Sequence, residues 1–244
     1  MDQLLVALDV ESGARAMELA SSLRGLAGGF KIGSRLFTLE GPAVVRALTD
    51  RGDRVFLDLK FHDIPHTVAT AVAAATSLGV WMLNIHASGG GPMMQAAINA
   101  ARDTAAKRGC QTPLVIAVTV LTSMNAATLS ETGVHGSVLD QVARLAQLTQ
   151  AAGLDGVVAS AQETSLIRET CGPDFAIVTP GIRGGSAVTS GHDDQERTMT
   201  APEAIAAGAS YIVVGRPIIA ASDPRAAAER IVADLRPWNK PRPV

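Results

Sequence analysis

Short apolar runs recur along the whole chain and alternate with Ala- and Leu-rich stretches. We predict eight strands, at residues 4–8, 29–32, 54–59, 80–85, 114–120, 156–159, 176–179 and 211–214. These runs are nearly continuous in apolar residues, which is typical of parallel strands that are covered on both faces. An antiparallel sandwich, whose strands expose one face to water, is therefore disfavoured.

The stretches between the strands carry apolar residues at helical spacing. We predict helices at residues 13–26, 41–49, 67–77, 92–107, 137–152, 202–207 and 224–235. Alternating strands and helices over 244 residues predict a single (β/α)8 TIM barrel, an α/β fold with short, right-handed crossovers. A doubly wound open sheet is the alternative arrangement.

Domain organisation follows from the absence of any low-complexity linker inside the chain. We predict one catalytic barrel domain over residues 1–236 and a Pro-rich tail over residues 237–244. The longest irregular connection spans residues 181–197, and connections of that length are usually functional lids or disordered.

Composition restricts the partners. Lys and Arg total 21 and Asp and Glu total 23, so the net charge is 21 − 23 = −2, and only 8 residues are aromatic (5 Phe, 2 Trp and 1 Tyr). We therefore expect neither a nucleic acid nor a membrane surface as the main partner. No apolar run approaches the ~20 residues that span a bilayer, and the first ten residues do not suit a signal peptide, so we expect a cytoplasmic protein.

The two cysteines, Cys110 and Cys171, are far apart in sequence and belong to no Cys/His cluster. We interpret them as reduced, packed thiols and not as a disulfide or zinc site.

Charged residues stand where the predicted strands end. Asp9 follows the first strand, Lys31 lies in the second, Asp58 and Lys60 close the third, and Asp63 follows it. Residues two apart on a strand share a face, so Asp58 and Lys60 both point to the mouth of a barrel, where barrel enzymes have their sites. An ion-pair network that only fixes the rim is the structural alternative. Burying several ions costs several kcal/mol each, which favours a functional role.

Two Gly-Arg turns follow the last two predicted strands, one with Gly181 and Arg183 and one with Gly215 and Arg216. Barrels commonly bind phosphate at these loops, where backbone N–H groups and Arg side chains contact the oxygens. The alternative is a pair of turns with solvated Arg side chains.

The histidines His62, His66 and His86 lack the spacing of a known metal site, and we interpret them as structural. The glycines at 89–91 lack the Lys-Ser/Thr of a phosphate-binding loop, which favours a tight turn into the next helix.

The run Asp-Leu-Lys-Phe-His-Asp-Ile-Pro at residues 58–65 resembles the signature of the orotidine 5'-phosphate decarboxylase family. The resemblance covers nearly the whole chain, with further matching segments at residues 8–9, 31–33, 84–86, 118–123, 178–183, 194–195 and 214–216. It implies a barrel that acts as a homodimer, needs no metal or organic cofactor, and converts orotidine 5'-phosphate to UMP and CO2 in pyrimidine biosynthesis.

The resemblance also implies roles for the charged residues. Lys60 would donate a proton to C6 of the pyrimidine, and Asp58 would lie beside the departing carboxylate. Lys31 would pair with Asp58 and, together with Asp9, would hold the ribose hydroxyls.

Other residues match the family's substrate contacts. Asp63 and Thr67 would reach the site of the partner subunit, next to His66, which stands where the family's pattern has Asn. The remaining contacts, to the nucleotide and its phosphate, would come from Thr122, Arg183, Gln195, Gly215 and Arg216.

Two alternative functions are open at this point. The related 3-keto-gulonate 6-phosphate decarboxylases and hexulose-phosphate synthases share the Asp-x-Lys-x-x-Asp pattern but bind magnesium, with an acidic ligand where this chain has Lys31. A catalytically silent nucleotide-binding barrel is the second alternative, and the intact set of Asp58, Lys60 and Asp63 disfavours it.

Overall fold

The computed structural model describes residues 2–183 and 199–235, and its main feature is a closed barrel of eight parallel strands. In these residues the strands are β1 (Leu4–Ala7), β2 (Gly29–Gly33), β3 (Val55–Phe61), β4 (Met82–His86), β5 (Leu114–Val118), β6 (Gly156–Val158), β7 (Ala176–Thr179), β8 (Ile182–Arg183), β9 (Met199–Thr200) and β10 (Tyr211–Val214). The barrel order is β1-β10-β7-β6-β5-β4-β3-β2, whereas β8 and β9 form a separate parallel pair. Because β1 pairs with both β10 and β2, the sheet has no open edge there. The barrel prediction is confirmed and the open sheet is excluded.

Helices cover the outside of the barrel. Within the described residues they are α1 (Gly13–Leu23), α2 (Ser34–Glu40), α3 (Pro42–Thr49), α4 (Pro65–Ser77), α5 (Gly90–Arg108), α6 (Ala126–Glu131), α7 (Val138–Ala151), α8 (Thr164–Cys171), α9 (Ala201–Ala206), α10 (Arg216–Ile219) and α11 (Pro224–Leu235). Four short helices of 4 to 8 residues, α2, α6, α8 and α10, are not predicted from the sequence, although the equally short α3 and α9 are. The turn expected at residues 89–91 is short, since α5 already begins at Gly90.

Alternate strand residues build two separate apolar layers. One parity faces outward and packs under the helices, as Val6, Ile32 and Leu57 do. The other parity fills the barrel interior with Leu5, Ala7, Phe56, Met82, Ile116, Val178 and Val213. The interior layer is therefore an apolar floor directly beneath the mouth of the barrel.

The remaining structural expectations have mixed outcomes. Cys171 is buried, and burial raises the pKa of its thiol, but Cys110 is exposed. The prediction that Cys110 is packed is wrong because this residue lies in the turn after α5, outside both apolar layers. The Pro-rich tail at 237–244 and most of the 181–197 connection lie outside the described residues. None of the helices in the described ranges combines the length and apolarity that a membrane crossing requires.

Candidate active site

Four charged side chains form a continuous chain of ion pairs at the carboxyl ends of β1, β2 and β3. The Nζ of Lys31 lies 3.2 Å from Oδ1 of Asp9 and 3.3 Å from Oδ2 of Asp58. The Nζ of Lys60 lies 2.6 Å from the other oxygen of Asp58. The order is thus Asp9, Lys31, Asp58, Lys60, with the signs alternating. We call these residues the charged chain.

Burial makes the charged chain electrostatically strong. The side chains of Lys31 and Asp58 are 11% and 13% exposed, and they lie on the strand parity of the apolar floor. Charge pairs at about 4 Å are worth about 4 kcal/mol at an effective dielectric near 20, against about 1 kcal/mol in water. Lys60 and Asp9 are more open, at 36% and 50%, so the two ends of the charged chain can meet a ligand.

The backbone of Lys60 departs from regular strand geometry. Its φ is +53°, and among the described residues it is the one non-glycine residue with a positive φ. The left-handed conformation costs an L-residue about 1–2 kcal/mol. The β3–β4 register is also interrupted here, because Leu57 pairs with Leu83 and Phe61 pairs with Ile85. A bulge of this kind re-aims a side chain, which is frequent next to active sites.

Asn84 connects the two strands at this bulge. It is fully buried, its Oδ1 accepts the backbone N–H of Lys60 at 2.8 Å, and its Nδ2 donates to Oδ1 of Asp58 at 2.7 Å. Asn84 lies in one of the segments that resemble the family, without a predicted role. An amide in the middle of an otherwise apolar strand, Met82–His86, is the signal that could have identified it.

Asp58 is ionised in this environment. Burial alone raises the pKa of a carboxyl group, but the charges of Lys31 and Lys60 and the hydrogen bonds from Lys60 and Asn84 outweigh it. The pKa of Asp58 therefore lies below its ordinary value of 3.8. The site holds a fixed negative charge with an ammonium group on each side.

Gly33, the last residue of β2, provides the space for the first ion pair. A Cβ atom built at Gly33 would lie 3.0 Å from Nζ of Lys31 and 3.1 Å from Oδ1 of Asp9. Any larger residue would push against both charged atoms, so the resemblance at residues 31–33 has a steric reason.

His86 ends β4 beside the charged chain, and its ring centroid is 5.3 Å from that of His62. Burial, followed by the charges of His62 and Lys60, lowers the pKa of His86, against a smaller opposing effect of Asp58. A neutral imidazole is therefore expected at pH 7. Within residues 2–183 and 199–235, no group of three or more His, Cys, Asp or Glu side chains is arranged to hold a metal ion.

Comparisons with known proteins agree with this geometry. Residues 2–231 match the model of the Orotidine 5'-phosphate decarboxylase / HUMPS family. The chain belongs to this family. An orotidine 5'-phosphate decarboxylase of Syntrophotalea carbinolica is 55% identical over 96% of this chain and 94% of the relative, and one of Moorella thermoacetica is 53% identical over 96% and 92%. The crystal structure of orotidine 5'-phosphate decarboxylase from Lactobacillus acidophilus has a TM-score of 0.84, with 36% identity over 96% of this chain and 99% of that one.

Family membership confirms the resemblance found in the sequence and the enzyme class expected from it, a carboxy-lyase of the orotidine 5'-phosphate decarboxylase type. The shared TIM-barrel architecture is confirmed as well.

The residues expected to reach a partner subunit lie on the surface. Residues 62–67 are all exposed, and Asp63 accepts a hydrogen bond from the backbone N–H of Ile64 at 2.6 Å. In the described part of this chain, Lys60 forms its salt bridge with Asp58 and not with Asp63. One chain therefore brings Asp9, Lys31, Asp58 and Lys60 together and leaves Asp63 and Thr67 outside.

The predicted phosphate residues are only partly described. Gly215 precedes the short helix α10 at the end of β10, and Arg216 is its exposed first residue. Thr122 is half-buried in the turn after β5. The backbone of Arg183 pairs with Thr200, but its side chain and all of Gln195 lie outside the described residues.

Proposed function

We propose that this chain decarboxylates orotidine 5'-phosphate to UMP and CO2 without a metal or organic cofactor, with Lys60 as the proton donor to C6. The observation that carries the proposal is the charged chain, which holds the Lys60 ammonium 2.6 Å from Asp58 at the barrel mouth. The family and its curated relatives support the same reaction.

The chemistry requires a positive charge and a proton at one place. When the bond between C6 and the carboxylate breaks, its electron pair stays on C6 as a localised carbanion and CO2 leaves. The Lys60 ammonium stabilises that charge as it develops and then transfers one proton from Nζ to C6. Solvent afterwards returns a proton to the lysine. Atoms and charge balance with no oxidant or reductant.

Asp58 and Lys31 prepare Lys60 for this role. The ionised Asp58 forms an ion pair with the Lys60 ammonium and thereby orients it, and Lys31 keeps Asp58 ionised from its other side. Asp58 would also repel the substrate carboxylate, an effect to which we give a minor part because ground-state arguments alone supply few kcal/mol.

The rest of the substrate would occupy the flanks of the charged chain. The half-exposed Asp9, with Lys31, would bind the ribose hydroxyls. Thr122 would contact the nucleotide, and the phosphate would be bound by Arg183, Gln195, Gly215 and Arg216. Binding energy from the phosphate, which is remote from C6, could then drive closure and orientation.

A homodimer would complete the site in this proposal. Asp63 and Thr67 would contact the partner's substrate. This fits the exposure of residues 62–67, among which the apolar Ile64 is 65% exposed. A cytoplasmic location remains a prediction.

The phosphosugar reaction of the related magnesium enzymes is disfavoured by Lys31. Its Nζ lies 3.2 Å and 3.3 Å from the carboxylates of Asp9 and Asp58. A magnesium ion would need an acidic ligand at this position, where the Lys31 ammonium would repel it. Release of CO2 from orotidine 5'-phosphate that is insensitive to EDTA is the expected result, and magnesium-dependent turnover of a phosphosugar would contradict the proposal.

The decisive experiment measures turnover of orotidine 5'-phosphate by wild type, Lys60→Ala and a matched control, Lys107→Ala, which changes an exposed lysine at the end of α5. We expect Lys60→Ala to lose at least about 10²- to 10⁴-fold in kcat, the usual contribution of a general acid, while UMP binding persists. Wild type that binds UMP without decarboxylation would favour a silent nucleotide-binding barrel. Full activity of Lys60→Ala would exclude Lys60 as the proton donor.

A further inference from the structure

We propose that Asn84 is a positioning residue, which holds Lys60 and Asp58 in their reactive arrangement by bridging the β3 bulge to β4. The inference rests on the proposed function, because it assigns Asn84 to the same decarboxylation. Asn84 is fully buried, and in this proposal it acts on the reaction through Lys60 and Asp58 and not by contact with the substrate.

The register shows why a side chain is needed at this place. Leu57 pairs with Leu83 and Phe61 pairs with Ile85, so residues 58–60 of β3 stand opposite the single residue Asn84 of β4. A regular ladder cannot satisfy the backbone groups of three residues with those of one. The backbone N–H of Lys60 instead donates to Oδ1 of Asn84 at 2.8 Å.

The chemistry of the partners fixes the orientation of the amide. A backbone N–H can only donate, so the Asn84 atom that faces Lys60 must be the oxygen. The Asp58 carboxylate can only accept, so the Asn84 atom that faces it, 2.7 Å away, must be the nitrogen. Asn carries its acceptor oxygen and its donor nitrogen on two separate atoms of a short side chain, so it can contact Lys60 and Asp58 at once, and it is fully buried here.

The bridge therefore has two consequences for the reaction. It holds Lys60 in the left-handed conformation, φ +53°, from which the Nζ can turn back to Asp58. It also gives Oδ1 of Asp58, the oxygen that contacts Lys60, a second hydrogen-bond donor. Loss of the bridge should displace the proton donor without removing any group that contacts the substrate.

The test compares Asn84→Ala with Ser210→Ala. Ser210 is a matched control because its buried Oγ likewise accepts a backbone N–H from a neighbouring strand, that of Ile177 at 3.1 Å, but at the opposite end of the barrel. We expect both variants to lose thermal stability. Asn84→Ala should lower kcat about 10- to 100-fold, as misplacement of a catalytic group does, with KM changed less than about threefold. Ser210→Ala should keep its kcat within about twofold, because removing a polar group far from the site changes stability alone.

Asn84→Asp adds a readout that a purely structural role would not change. Its carboxyl has the shape of the amide, and when protonated it can still donate to Asp58 and accept from Lys60. Two carboxyl groups this close share one proton, whose pKa is raised. The kcat of Asn84→Asp should therefore approach the wild-type value as the pH falls and decline as it rises. Lys31, Lys60 and His86 also face Asp58 and are the same in every variant, so the profiles are compared as ratios to wild type.

The outcomes separate this inference from the proposed function. A wild type without turnover contradicts the proposed function. If wild type turns over and Asn84→Ala has an unchanged kcat per folded molecule, the role of Asn84 is overturned. A pH profile of kcat for Asn84→Asp that runs parallel to that of wild type overturns it as well. If Asn84→Ala does not fold, the isosteric Asn84→Asp decides alone.

Discussion

Two aspartates at the two ends of β3 have similar surroundings and different uses. Asp53 precedes the strand at the base of the barrel, and Asp58 lies near its mouth; their side chains are 7% and 13% exposed. Each carboxylate lies between two cations. Asp53 is 2.9 Å from Arg24 and 3.4 Å from Arg51, and Asp58 is 3.3 Å from Lys31 and 2.6 Å from Lys60.

The cations account for the difference. The Arg24 guanidinium binds Oδ1 of Asp53 through Nε and Nη2 and also donates to the carbonyl of Arg51, so its fork ties together the chain at the base. Arginine does not give up its proton in proteins, whereas a lysine ammonium is a compact charge that can. The Asp53 carboxylate, which pairs with arginines, therefore holds segments of the chain together. The Asp58 carboxylate, which pairs with lysines, orients a proton donor.

The largest effect is expected from Asp58→Asn. Loss of this charge leaves Lys31 and Lys60 close together without the carboxylate between them, so the Lys60 ammonium is displaced from the position in which Asp58 holds it. We expect kcat for orotidine 5'-phosphate to fall by about 10² to 10³-fold, the scale of a misplaced or lost electrostatic group. Steady-state kinetics measure this loss of kcat. A kcat within threefold of wild type would show that Asp58 has only a structural role.

In the proposed homodimer, the site at the mouth of the barrel depends on residues of a second copy of the chain, whereas the base does not. Lys60→Ala and Asp63→Ala should each be inactive alone, yet a hybrid dimer would contain one site with both residues intact. Random exchange makes about half of the dimers hybrid, with one working site of two, so about a quarter of wild-type activity should return. Absence of recovery after demonstrated subunit exchange would contradict the shared site.

The barrel and the charged residues at its mouth can be predicted from the sequence, whereas the Asp53 ion pairs at its base are not predicted. All eight barrel strands are predicted within two residues of their observed ends, because apolar runs and strand parity carry that information. Parity also aims Asp58 and Lys60 at the mouth correctly. Their third partner, Asn84, could be singled out as an amide within a largely apolar strand, but its contacts with Lys60 and Asp58 could not be predicted, because they depend on a register shift between strands.

Short helices are also difficult to predict from the sequence. α8 joins β6 to β7, but at 8 residues it shows barely two turns of periodicity. Its placement follows from the requirement that parallel strands be connected by a crossover, which is a property of the closed barrel and not of the segment.

Asp53→Asn should separate the base from the mouth at a smaller scale. The amide can still accept from Arg24, which is half exposed, so we expect a loss of about 1 kcal/mol in the free energy of unfolding and about 2–4 °C in Tm. The kcat should match wild type, because nothing at the mouth changes. Thermal unfolding and kinetics on the same preparation test this, and a tenfold loss of kcat at unchanged Tm would contradict the division between the two ends.

The smallest effect is the acid dependence of stability at Asp58. Burial raises the pKa of this carboxyl, but Lys31, Lys60 and Asn84 lower it further, so in the folded protein it lies below the 3.8 of the unfolded chain. A lowered folded-state pKa contributes stability that is fully present above the unfolded value and is lost as the pH falls through the folded value. The unfolding free energy of wild type minus that of Asp58→Asn should therefore be constant near neutral pH and decrease below pH 3.8. Urea unfolding at a series of pH values measures this difference, and a difference that increases on acidification would mean that burial, and not the two lysines, controls the mouth aspartate.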